Sequence, residues 1–253
     1  MTRYFPEKRA LFLHVPRTGG TWVEYAIAEM GVEFTRWTQA HAQWLPSKHL
    51  YLPQYECTGR NRPRFVWTIL RHPVSYYEAI WRWLRSVKYK YSHRKRDFRY
   101  YLMNHYRWSW HPQKAAAELY DDQFDVWVRR MLEFEGAWVT RAYAMAVGPP
   151  GGEWVHYVGR HETLVEDFFA VMDLIGYGDE VAAARDRILG LGRVNAAPEY
   201  EITWPEDLLA AVQREERVAI RRWWSDKTQT RRWYGALAQE GPAAVVGDPG
   251  GVA

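Results

Sequence analysis

Cysteine is almost absent from this chain of 253 residues, in which Cys57 stands alone. No disulfide can form within one molecule, so a disulfide-stapled scaffold is excluded. No apolar run reaches the ~18 residues that a membrane-spanning helix requires. The N-terminal MTRYFPEKRA has no apolar core of signal length, and a soluble, cytoplasmic protein is the expectation. No HExxH or paired-Cys pattern occurs, and no metal is expected. Repeats and RNA-recognition signatures are missing too, which leaves a nucleic-acid partner without support despite the basic residues discussed below. A Walker A loop is also absent, because no glycine stands five residues ahead of a Gly-Lys-Ser/Thr.

What is present is enough apolar material for a large core: 47% of the residues are hydrophobic. The length fits one α/β domain, read here as residues 1–239, followed by a Gly/Pro-rich tail over 240–253 that is expected to be flexible. Residues 11–22, LFLHVPRTGGTW, carry most of the information. Leu11, Phe12, Leu13 and Val15 suit a buried strand, while Trp22, Val23, Ala26, Ile27 and Met30 recur at helical spacing up to Gly31. Pro16 to Thr21 therefore link a strand to a helix N-terminus. Unpaired N–H groups and the helix dipole attract an anion there, Gly19 and Gly20 permit close approach of the backbone, and Arg17 adds a full charge.

A second strand, turn and helix follows in 65–84, where FVWTIL leads into Arg71-His72-Pro73. A third occupies 154–175, with Arg160, Glu162, Leu164 and Asp167 at its turn. In an open α/β sheet, ligands sit beyond the carboxyl ends of the strands, so arginines placed just after successive strands face one crevice.

These segments resemble the sulfotransferases that use 3′-phosphoadenosine 5′-phosphosulfate (PAPS), in the bacterial and Golgi carbohydrate branch. The likeness spans about residues 10–176 and implies their fold: a central parallel sheet flanked by helices, with a P-loop-like phosphosulfate-binding loop. It implies PAPS as cofactor, held at the 5′ side by Arg17, Thr18, Gly19, Gly20, Thr21 and Trp22. At the 3′-phosphate it implies Arg71, and Ser75 in place of the usual hydroxyl eight residues after the arginine, where this chain has Ala79. Arg160 belongs to the third element, and Tyr157 or His161 is a candidate for stacking on the adenine. Arg17 stands where relatives have lysine, which keeps a fixed positive charge but removes a ready proton donor. The general base is assigned to His41, with His49, Glu24, Glu29 and Glu33 as rivals. The reaction implied is sulfuryl transfer to a hydroxyl or amine, on a carbohydrate or small-molecule acceptor. A non-catalytic nucleotide- or polyanion-binding protein on the same fold is the alternative.

Charge is unevenly spread. Residues 82–99 carry eight Lys or Arg and one acid, or +7, against a net +4 for the whole chain. With Trp83, Tyr89, Tyr91 and Phe98 they read as a basic, aromatic insertion over about 82–118: either a solvated face or an overhang that attracts an anionic or sugar-like acceptor. Helices are also expected over 119–134, over 179–189, and from a Thr203/Glu206 capping box through Trp224.

Overall fold

A computed structural model of the chain describes residues 2–36, 63–92, 112–148, 155–194, 198–225 and 232–233. In chain order the elements are β1 (Arg3–Phe5), β2 (Ala10–Leu13), α1 (Gly20–Met30), β3 (Thr35–Arg36), β4 (Phe65–Leu70) and α2 (Pro73–Ser92). Next come α3 (Pro112–Glu118), α4 (Phe124–Phe134), α5 (Trp138–Val147), β5 (Tyr157–Arg160) and α6 (Leu164–Leu174). The last are α7 (Gly178–Ala183), α8 (Arg185–Leu189), α9 (Glu206–Glu215), α10 (Arg217–Trp224) and β6 (Arg232–Trp233).

The sheet runs β3-β1-β2-β4-β5-β6. Its centre is parallel, as expected: Leu13 pairs with Thr68, and Leu70 with Arg160. The edges are not, because β1 folds back on β2 as an antiparallel hairpin and β3 and β6 add antiparallel strands. Three residues such as RYF give too short a run to be recognised from alternation alone.

Side chains of the central strands alternate between two cores, as the period of two requires. Leu11, Leu13, Val66 and Leu70 face the layer built from α2, α3, α4, α5, α9 and α10. Phe12, Trp67, Ile69 and Tyr157 face α1, α6, α7 and α8. Fully buried residues such as Phe12, Ile27 and Ile69 each contribute about 1.5–3 kcal/mol. With both faces covered, the strand ends are where a ligand can approach.

Three helix expectations need correction. The helix expected from 119 begins at Phe124, because the Asp121 carboxylate accepts the Gln123 N–H at 2.9 Å and holds a turn ahead of it. The segment 179–189 is two short helices that meet at Ala184. The helix expected through Trp224 starts at Glu206 after Pro205 with no side-chain cap, so the Thr203/Glu206 box does not form, and it breaks at Glu216. That break has a cause. The buried Glu216 carboxylate accepts the N–H groups of Val139 and Thr140 at 3.0 and 2.7 Å, the Thr140 hydroxyl at 2.7 Å and the Tyr77 hydroxyl at 3.1 Å. It thus fills the N-terminus of α5 with an anion drawn from the junction of α9 and α10.

The basic segment is also placed differently. Residues 82–92 continue α2 without a break, so they belong to the helix that follows Arg71. Arg82 pairs with Glu78 at 3.0 Å, and Arg85 lies over the rings of Trp81 and Tyr200. The rest of the proposed insertion up to 111, and the tail 240–253, lie outside the described residues.

Candidate functional site

The turn after β2 is held by its own side chains. Thr18 is fully buried and donates its hydroxyl to the Val15 carbonyl at 2.9 Å, so only its backbone amide can serve a ligand. Thr68 donates to the Leu13 carbonyl at 2.7 Å, closing the end of the strand. Arg17 and Gly19 take left-handed conformations, with φ of +63° and +96°. For a residue with a Cβ this costs roughly 1–2 kcal/mol, and Arg17 is held there with its guanidinium 4.6 Å from the centre of the Trp83 ring. A Cβ on Gly20 would run into the His14 imidazole, and one on Gly19 would lie 2.9 Å from Leu164 Cδ2 and 3.3 Å from His161 Cδ2. Glycine is required at both places.

Helix α1 starts directly after this turn. Its first internal hydrogen bond runs from the Val23 N–H to the Gly19 carbonyl at 3.1 Å, so the amides of Gly20, Thr21 and Trp22 stand ahead of the helical ladder. No side chain of the cap residue closes this end, and no acid stands in its first turn. The Trp22 side chain is buried against Phe168, edge to face at 5.5 Å between centroids. Its contribution is therefore limited to the backbone.

Arg71 follows β4. Tyr143 of α5 clamps its backbone, accepting its N–H at 3.3 Å and donating to its carbonyl at 2.6 Å. The guanidinium donates to Nε2 of His161, and its Nε is buried with no hydrogen-bond partner. Burial pulls Arg71 below the ordinary arginine value, against the opposing influence of the Tyr143 hydroxyl and the Glu162 carboxylate. His161 is pulled down to about 4 by burial and then by the Arg71 charge, so it is neutral at physiological pH. It is the meeting point of the site, touching Arg71 on one side and lying against Gly19 on the other.

Glu162 is committed elsewhere. It accepts the His72 N–H at 2.8 Å and the Trp224 Nε1–H at 3.2 Å, and the Ser75 hydroxyl lies 3.4 Å from it and 3.0 Å from the His72 carbonyl. Ser75 therefore stands in the first turn of α2 with its hydroxyl engaged by the His72 carbonyl and Glu162. His72 packs against Trp224, and burial lowers it below the ordinary histidine value.

At β5, the Arg160 N–H and the Thr163 hydroxyl donate to Asp167 Oδ2 at 2.8 and 2.7 Å, and the Tyr157 hydroxyl donates to Oδ1. Asp167 thereby fixes the strand end and the single turn of 3-10 helix, His161–Thr163, that presents His161. Tyr157 is fully buried and cannot stack on a ligand. That expectation is overturned, while His161 remains at the crevice.

Compared with protein-family models, with curated proteins and with solved structures, the chain finds no match.

The base candidates fare unequally. His41 and His49 lie outside the described residues. Glu24 pairs with the nearly buried Arg3 at 3.2 Å, and Glu29 pairs with Arg187 at 3.2 Å, so both are engaged in holding α1 to its neighbours. Glu33 is exposed beyond the end of α1. Among the described residues no cluster of His, Cys, Asp or Glu fits a metal ion, and no helix is long and apolar enough to cross a membrane. Sequence reasoning missed Tyr143, whose role depends on α5 returning beside β4, and His14, whose ring sets the seat of Gly20. It noted Trp83 and Glu162 without giving them these roles.

Proposed function

We propose that the chain is a PAPS-dependent sulfotransferase acting on a hydroxyl or amine of a carbohydrate or other small-molecule acceptor. The carrying observation is that His161 links two arginine-bearing strand ends, the Arg17 loop through Gly19 and the partly buried guanidinium of Arg71. Two cations beside a helix end with no side-chain cap suit a ligand with two separated phosphate groups. The fit to PAPS has two supports: a helix end that no side chain of its cap residue closes, and an Arg71 Nε buried without a partner.

When bound, PAPS supplies an activated sulfuryl group on a phosphate leaving group. Arg17 and the amides of 18–22 would face the 5′ side and stabilise charge as it develops on the leaving oxygen. Arg71 would hold the 3′-phosphate as a charge-assisted hydrogen-bond donor. His41 is the proposed base that takes the proton from the acceptor.

A thermal-shift titration tests the binding half of this reading. At ~100 times its dissociation constant a ligand stabilises the native state by about 2.7 kcal/mol. 3′,5′-ADP is expected to give such a shift and 5′-ADP and ATP a smaller one, with the preference lost in Arg71→Ala. Equal shifts from all three nucleotides would remove the 3′-phosphate assignment. Sulfuryl transfer from PAPS, lost in Arg17→Ala, would separate an enzyme from a binding protein.

A further inference from the structure

Arg71 is a partly buried cation whose side-chain partner is a neutral imidazole. Among the described residues it forms no ion pair, and its Nε has no hydrogen-bond partner. A permanent donor aimed at Nε2 makes that nitrogen an acceptor, which leaves the ring proton of His161 on Nδ1. The charged groups facing His161 are Arg71 from the end of β4, Arg193 from the segment after α8, and Glu162 from its own turn. The loop carrying Arg17 reaches it through Gly19. Asp167 of α6 is occupied by Arg160, Thr163 and Tyr157. Glu162 is held by His72 and Trp224. The acid nearest in sequence is therefore already engaged.

We propose that His161 is a second ligand of the phosphate received by Arg71, and that it changes from hydrogen-bond acceptor to proton-carrying donor when the phosphate arrives. This rests on the reading of Arg71 as a 3′-phosphate site. Phosphate oxygens only accept, so an imidazole lone pair facing them is repelled, whereas an imidazolium N–H is attracted. A dianion beside Arg71 also offsets the positive charge that adds to burial in keeping the ring neutral. The proton comes from solvent: an N–H bond forms at Nε2 as the hydronium or buffer acid that gives up the proton loses it, and no heavy-atom bond changes. Binding is thereby coupled to proton uptake, and affinity for the 3′-phosphate rises as pH falls toward the ordinary histidine range.

The test is calorimetry of 3′,5′-ADP binding to the full chain, in two buffers of different ionisation enthalpy, for the wild type and His161→Gln. The ligand's own 3′-phosphate titrates near about pH 6 and releases protons when the dianion is selected, so the quantity read is the difference between the two proteins. The wild type is expected to take up more protons than His161→Gln, the difference approaching about one at full linkage. A second reading uses the wild type alone: its affinity for 3′,5′-ADP relative to 5′-ADP should rise between about pH 8 and about pH 6.5, by at most about tenfold per pH unit. Equal proton counts together with a flat affinity ratio would overturn the role of His161 and leave the 3′-phosphate reading standing. Absence of 3′,5′-ADP binding to the wild type would overturn both.

Discussion

Helices α1 and α5 begin alike and end their likeness there. Each follows a left-handed residue, Gly19 at φ +96° and Ala137 at φ +56°, and neither cap residue contributes a side-chain hydrogen bond. At α5 the chain supplies its own anion, Glu216, which accepts four hydrogen bonds in a fully buried setting. At α1 it supplies two glycines and a strained arginine, and no acid in the first turn. The same backbone donors are thus spent on stability in one place and presented beside cations in the other. Buried polarity that is internally complete belongs to the fold. Partly buried positive charge resting on a neutral partner, as at Arg71, is left open to an anion.

The contrast breaks most sharply at Glu216. Glu216→Ala strands four donors and is expected to cost about 1–3 kcal/mol for each one left buried without a partner, read by urea denaturation, while any surviving folded protein keeps its nucleotide preference. Arg17→Gly is the opposite case. Among what it gives up is a cation–π contact of about 0.5–1 kcal/mol, set against relief of a left-handed strain of roughly 1–2 kcal/mol. Its melting temperature should change far less than that of Glu216→Ala while sulfuryl transfer falls on the order of 10²–10³-fold. A variant that lost stability and activity together would erase the distinction between the two helix ends.

Asp167→Asn sharpens the comparison at a smaller scale. The carboxylate accepts from Tyr157, Arg160 and Thr163, so an amide group turned toward one of these donors is expected to cost about 1–3 kcal/mol, with 3′,5′-ADP affinity reduced because His161 is presented by the same turn. The smallest effect is a slope in pH. His161 has its folded value depressed to about 4 from an ordinary 6.5. Its contribution is therefore complete above 6.5 and is lost as pH falls through about 4. Glu216 has the opposite sign, since burial raises it, and what it contributes is lost as pH rises through its folded value. Thermal melts of the ligand-free chain should show a decline on acidification that is shallower in His161→Gln and preserved in Glu216→Gln.

The parts of the fold readable from the sequence were those governed by local pattern. The strands and turns at 11–22 and 65–73 lie where apolar runs meet a breaker, and Gly31 ends α1 at φ +68°. Arg17 and Arg71 were placed at strand ends on the same grounds. What local pattern does not contain is who fills a helix end. Thr203 and Glu206 have the right spacing for a capping box, yet Pro205 takes the cap position, and the acid that caps α5 comes from 76 residues beyond Thr140. The partners of Ser75 and Tyr157 were hidden for the same reason, because Glu162 and Asp167 are visible only once β4 and β5 pair and α6 packs behind them.

One consequence of α2 concerns length more than chemistry. The helix leaves the Arg71 turn at Pro73 and, ten residues later, puts Trp83 beneath the Arg17 guanidinium. Over that stretch it acts as a ruler about 15 Å long, and each added residue turns everything beyond it by roughly 100°. A single insertion near Ala79 would leave the helix intact and every named residue present, but would swing the indole away from Arg17. The interval between Arg71 and Trp83 is thus as much a part of the site as either side chain.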